Sequence, residues 1–220
     1  MKNTGLFSFP IAVLSAALLL PGLANAQSTM DSEDAPNQSD QLATQQAAQM
    51  VAARAYLTHK LDARDARPGA QFTAILSQAV QLKSGAKLPR GTELVGTIAT
   101  DDMQLNGNST LALRITQAHL KDGTTIPLKA TIVGVWGPEN ENAQGYNVAP
   151  GDEEANDWTQ NVLTVEQINA VSGVDLHSKV AADNSGVFVA KKKDDVKISA
   201  GSEFALAIAE QGNGQQQNGN

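Results

Sequence analysis

KLPRGTELVGTIA, residues 87–99, returns near the end of the chain as KISAGSEFALAIA, residues 197–209. In both copies a lysine opens a short turn, a glycine closes it, and a small hydroxyl and a glutamate lead into alternating apolar positions. The shared residues are turn-formers and core-formers, with no nucleophile and no ligand set, so the phrase is built for shape. Alternation of apolar residues with period two is the signature of a strand with one face buried. Leu94, Gly96 and Ile98 of the first copy correspond to Phe204, Leu206 and Ile208 of the second, so both strands aim the same face at a core. Leu88-Pro89-Arg90-Gly91 suits a type I turn with proline second and glycine fourth, and Ile198-Ser199-Ala200-Gly201 takes its place in the second copy. Two similar strands, one in each half of a barrel or sandwich, are expected.

The same period runs outward from the phrase. Ala53, Ala55, Leu57, His59 and Leu61 form one face, and Phe72, Ala74, Leu76, Val80 and Leu82 another. Leu111, Leu113 and Ile115 follow, then Ile126, Leu128, Ala130, Ile132 and Trp136. Pro68-Gly69, Asn106-Gly107 and Asp122-Gly123 fall between these runs, and the turn at Gly123 reads as a tight hairpin. Strands that follow one another so closely pair antiparallel. Val162, Val165, Ile168 and Val171 recur every third residue, which leans towards a short helix over Thr159 to Val171, although β-branched residues leave a strand open. Residues 177–181, 186–191 and 196–209 read as closing strands.

The ends of the chain have a different composition. Lys2, the apolar run from Leu6 to Leu20, and Ala24-Asn25-Ala26 before Gln27 form a signal peptide over residues 1–26, cleaved after Ala26. The apolar run is interrupted by Pro10 and is shorter than the roughly 20 residues of a bilayer span, so no integral membrane span is expected after cleavage. Cleavage removes only the Lys2 charge and takes the net charge from -7 to -8. An exported acidic chain has no electrostatic reason to bind nucleic acid or anionic lipid. With no cysteine, disulfide, thiol and Cys-zinc chemistry are excluded. Residues 27–52 read as a polar flexible tether or marginal helix, and 211–220, containing only Gln, Asn and Gly, as a disordered tail. The folded part is then a single mainly β domain over residues 53–210, interrupted by a long acidic loop at 137–157, a length that is functional or disordered.

The histidines do not assemble a reaction centre. His59 falls on the inward face of its strand and reads as a core histidine bonded to a carbonyl. His119 ends a strand beside the Lys121-Asp122-Gly123 turn. Asp175 and His177 share a face that excludes Ser178, so a triad is unsupported. No H-x-H or H-E-x-x-H spacing occurs, so no metal site, cofactor or catalytic residue is assigned. Asp101-Asp102 suits turn chemistry better than calcium, and Lys191-Lys192-Lys193 suits an edge strand guarded by charge. Tyr146 and Trp158 flank the acidic loop and are the candidate partner-binding residues.

The phrases KLDARDARPGAQFTAILSQAVQL, KLPRGTELVGTI, LALRITQAHLKDGTTIPLKATI and DVKISAGSEFALAI together resemble a family of exported bacterial β-domain proteins, mostly uncharacterised, in which these phrases recur in this order. That family is distantly similar to the periplasmic β-barrel domain of the TrbI-like proteins of conjugation and type IV secretion. The shared element is matched by Leu88, Pro89, Gly91, Thr92, Leu94 and Gly96. This chain departs from the secretion-system proteins in having a cleavable signal in place of a membrane anchor, and in lacking their Pro-rich stalk. The resemblance implies a single antiparallel β-barrel, where alternation alone leaves a β-sandwich equally open. It implies a non-catalytic exported module of the cell envelope, in the periplasm or outside the cell, whose partner is another envelope protein. An envelope hydrolase, a carbohydrate-acting or carbohydrate-binding protein, and a purely structural spacer are the alternative readings. Neither the ligand nor the oligomeric state is legible in the residues.

Overall fold

The structure is a computed structural model and describes residues 38–138, 163–191 and 195–211. The expected signal-cleavage residues Ala24, Ala26 and Gln27, the acidic loop beyond Pro138 with Tyr146, then Trp158, and the far ends of both tails lie outside these residues. In chain order the elements are α1 (Gln38–Gln49), β1 (Val51–Leu57), β2 (Leu61–Asp62), β3 (Gln71–Leu76), β4 (Val80–Gln81), β5 (Lys87–Leu88), β6 (Glu93–Ala99), β7 (Ser109–His119) and β8 (Thr125–Trp136). Then come β9 (Thr164–Val171), β10 (Val174–Lys179), β11 (Gly186–Ala190), β12 (Lys197–Ile198) and β13 (Glu203–Glu210).

Alternating burial decides the architecture. Each long strand turns an apolar face inward in the ring β6-β3-β1-β13-β8-β7, closed by β6 against β7, and β8 and β13 are covered on their outer faces as well. The result is an antiparallel barrel of six strands, which removes the sheet edges that an open sandwich would retain. Leu57, Leu76, Leu94, Ile115, Leu128, Ile132, Phe204 and Leu206 fill it, each at most 2% exposed.

The repeated phrase occupies equivalent places in this ring. In the first copy the Gly91 N–H donates to the Leu76 carbonyl at the end of β3 (2.9 Å), and the Leu76 N–H returns a bond to the Thr92 carbonyl (2.9 Å). In the second, Gly201 donates to the Leu57 carbonyl at the end of β1 (2.8 Å), and Leu57 returns a bond to Ser202 (2.9 Å). Short strands repeat the scheme: β4 pairs with β5 beside the first turn, and β2 with β12 beside the second. Their neighbours agree in detail too, since β7 bulges against β6, with Thr116 extra between the partners of Val95 and Gly96, while β8 bulges against β13, with Val133 extra between the partners of Ala205 and Leu206. The phrase thus recurs because each half of the barrel needs the same clip between a turn and the end of a neighbouring strand.

The turn itself is displaced by one residue from the sequence reading. Its closing bond runs from the Thr92 N–H to the Pro89 carbonyl (3.1 Å), so the turn is Pro89–Thr92, with Gly91 third at φ +82°. Ser199–Ser202 repeats it, with Gly201 at φ +79° and a Ser202-to-Ser199 bond of 3.2 Å. A positive φ at the third position is the type II signature, which explains why both copies keep glycine there. Gly123 closes its own hairpin turn with a bond to the Leu120 carbonyl (3.0 Å), at φ +88°.

An appendage grows from the fork between β7 and β8. These two strands pair only next to their hairpin, at Gln117–His119 and Thr125–Pro127. Beyond it Ser185 wedges them apart: its N–H donates to Leu113 (2.6 Å), its carbonyl accepts from Ile132 (2.7 Å), and its hydroxyl accepts from the Ile115 N–H (2.9 Å). From there β11 pairs with β7, β10 with β11, and β9 with β10. The Gln167 side chain brings β9 back to the barrel, because its amide bonds both the N–H (2.8 Å) and the carbonyl (3.0 Å) of Val135 in β8, in place of a strand ladder.

Four sequence expectations are corrected. Residues 164–171 are strand β9, not helix; residues 168–170 bulge opposite Asp175, with Asn169 at φ +53°, and this bulge produces the three-residue apolar spacing. Residues 159–162 lie outside the described segments. Trp136 leaves the inner face, because the bulge in β8 turns Val135 inward and puts Trp136 with an outer cluster. His59 is exposed, since β1 ends at Leu57 and the histidine bonds Thr58 beyond the strand (2.9 Å). The fourth is the turn register above. The outer cluster has a purpose of its own: Ala205, Ala207 and Ala209 alternate with the core residues of β13, and their small side chains make room for Ala47 and Met50 at the end of α1.

Candidate functional site

A cavity of about 490 Å³ opens at the end of the barrel beside the second copy of the phrase. Lys197, Ser199 and Ser202 come from that copy, Arg64 from the segment after β2, Val171, Ser172 and Val174 from the β9–β10 hairpin, and Gly137 and Pro138 from the chain leaving β8. Asp195 completes the wall and forms an ion pair with Arg64. Among the described residues this lining holds two cations, one carboxylate, three serines and an apolar patch of Val171, Val174 and Pro138. Such a lining offers donors and charge to a polar ligand. Ser202 is 0% exposed, and its hydroxyl has no hydrogen-bond partner among the described residues. A buried hydroxyl left without a partner costs about 1–3 kcal/mol, so a group that bonds it is favoured.

The residues singled out in the sequence are dispersed. His119 is half-buried and bonds Gln117 (3.1 Å), and His177 lies 3.9 Å from Glu166. Asp101 holds its own loop through the Met103 (3.0 Å) and Leu105 (2.8 Å) N–H groups, and Asp102 binds the Asp183 N–H (2.7 Å) and the Asn184 side chain. Among the described residues no group of three His, Cys, Asp or Glu side chains converges as a metal site. Pro89, Gly91, Gly123 and Gly201 serve as turn residues, and a Cβ added at Gly201 would meet Pro138 at the cavity rim. Arg64, Lys197 and Ser202 were missed as site residues. The available signal was the repeat itself, which marks residues 197–202 as a built feature but not as a cavity wall.

Asp175 is the buried carboxylate among the described residues, and titration should expose it. It is 3% exposed, accepts a bond from the Asn169 N–H in the β9 bulge (2.9 Å), and pairs with Lys191. Burial alone pushes its pKa up, but the Asn169 N–H and the Lys191 ammonium together outweigh burial and hold the group below its ordinary value. A carboxyl depressed in the fold contributes stability that is present above the unfolded-state value, about 3.9, and is lost as pH falls through the lower folded value. Asp175→Asn should therefore lower stability at pH 7, with the gap to the native chain narrowing below about pH 4. Urea unfolding at the two pH values checks this, and an undiminished gap at low pH would refute it.

No family model matches the chain, and no curated protein is similar to it in sequence. Among solved structures it is similar to ComB10 of the Com type IV secretion system of Helicobacter pylori, at 9% identity and a TM-score of 0.34, over 72% of this chain and 84% of that one. This is a distant structural similarity. Among the described residues, no helix is long and apolar enough to cross a membrane.

Proposed function

We propose that the chain is a non-catalytic, exported module of the cell envelope that binds another envelope protein as an assembly component. The observation that carries this reading is the cavity at the barrel end, walled by the second repeated turn and by Gly137-Pro138, where the chain departs into its long acidic segment. A closed barrel with its interior filled by side chains has no lumen to offer, so recognition is left to its ends and loops. The signal sequence read at residues 1–26 supports export, and the repeated turn phrases, which resemble those of the TrbI-like domains, support an envelope role. Tyr146 and Trp158 belong to the same segment and are proposed as partner contacts.

Crosslinking of the tagged protein in living envelope, followed by mass spectrometry, tests the proposal. A specific partner should appear, and should vanish when residues 137–157 are replaced by a short Gly-Ser linker. Recovery of no partner from the native chain would overturn the reading and turn attention to substrate screening.

A further inference from the structure

The two copies of the repeated turn build two cavities, and the copies differ at the position that matters. Beside the first copy lies a space of about 190 Å³ lined by Pro89, Arg90, Thr92, Leu120, Lys121 and Asp122. It is the positional counterpart of the 490 Å³ cavity: Pro89 and Thr92 correspond to Ser199 and Ser202, and residues 120–122 follow β7 as Gly137 and Pro138 follow β8. The turn glycines agree, since a Cβ added at Gly91 would meet the Lys121 side chain at 3.7 Å and one added at Gly201 would meet Pro138 at 3.6 Å. In the first copy the Thr92 hydroxyl donates to the Pro89 carbonyl of its own turn (2.7 Å). In the second the Ser202 hydroxyl makes no bond among the described residues, although its N–H closes the same turn on Ser199. One duplicated hydroxyl is used up by the fold, and the other is left over at the wall of the larger cavity.

From this divergence we infer that the larger cavity is a binding site for a monoanionic carboxylate carried on a small aliphatic body. Among the described residues of the lining the two cations, Arg64 and Lys197, outweigh Asp195 by one charge. Asp195 orients Arg64 through their ion pair, and its own charge disfavours a dianion. Lys197 and the hydroxyls of Ser172, Ser199 and Ser202 supply donors for the carboxylate, while Val171, Val174 and Pro138 face its apolar part. A peptide C-terminus and a free short-chain carboxylic acid share this chemistry. The inference rests on the interaction-module reading and names what that site recognises.

The experiment titrates the mature full-length protein, followed by NMR, with acetyl-Ala-Ala ending in a free carboxylate, with the same peptide amidated, and with butyrate. Binding is expected for the free-acid peptide and at least tenfold weaker binding for the amide. Lys197→Gln and Ser202→Ala should each weaken the acid by about tenfold, the loss of one charged or buried partner. Lys87→Gln, the same lysine in the first copy, should change nothing. Lys197 is exposed, so its variant tests the site even where Ser202→Ala disturbs folding. Tighter binding of the peptide than of butyrate assigns the site to a chain terminus, and equal binding to a free acid; both support carboxylate recognition. Equal binding of acid and amide, or equal effects of Lys197→Gln and Lys87→Gln, would overturn it. If an envelope partner still crosslinks to the Lys197→Gln variant while the native protein ignores the acid peptide, carboxylate recognition fails and the interaction-module reading stands.

Discussion

Replacing Phe204 with alanine is expected to cost about 3–5 kcal/mol, the range for removing a fully buried aromatic side chain. Phe204 is 0% exposed and stands between Ala55 of β1 and Val135 of β8, its partners across the two neighbouring ladders. Its ring meets that of Phe188, with centroids 6.3 Å apart and planes tilted by 30°. Phe188 belongs to β11, so the pair joins the appendage to the closed barrel, and tilted rings at this separation add to the area buried. The small neighbour Ala55 is unable to fill the space an alanine would leave. Phe204→Leu restores the residue that the first copy carries at Leu94 and should cost less than about 1.5 kcal/mol. Urea unfolding measures both, and a loss below 1 kcal/mol for the alanine variant would show that the core collapses around the gap.

The second large effect is expected at Gly96, where the repeated phrase departs from itself. A Cβ there would stand 2.5 Å from the Phe72 ring and 2.7 Å from the Arg114 carbonyl. The ring is free to turn aside, but the carbonyl belongs to the β7 ladder and is fixed by it. Gly96→Ala should therefore cost about 3 kcal/mol, at the upper end for overpacking. Phe72→Leu in the same chain should recover only part of the loss, because the carbonyl contact remains. Gly134→Ala is the control: the three atoms nearest its Cβ all belong to the Trp136 side chain, on the outer face, which can shift, so it should cost much less. Equal effects at the two glycines in thermal unfolding would refute this account. Leu206 occupies the matching position of the second copy, so one half of the core is filled from β13 itself and the other by the Phe72 ring reaching across from β3.

Much of this was legible in the residues because burial alternates along strands that face one core. Leu57, Leu76, Leu113 and Ile132 fall where period two puts them. The reading failed wherever a bulge broke the period. Trp136 and the segment 164–171 were misplaced for that reason, since one extra residue flips every later side chain to the other face. His59 was misplaced because nothing in its sequence marks the end of β1. That end is imposed by Thr58, whose N–H and hydroxyl both turn to the Thr73 carbonyl.

The sequence by itself determined a β domain built from two similar halves, and it identified the turns that begin the matching strands, because alternation and turn-forming glycines are local properties of the chain. Tertiary structure alone decided that the sheet closes, through the pairing of β6 with β7. It also decided that β9 returns to β8 through one glutamine side chain, and that the second turn, unlike the first, leaves a hydroxyl over at the wall of a cavity. These are contacts between residues far apart in the chain, and no local pattern encodes which of two equivalent turns will find its hydroxyl already bonded.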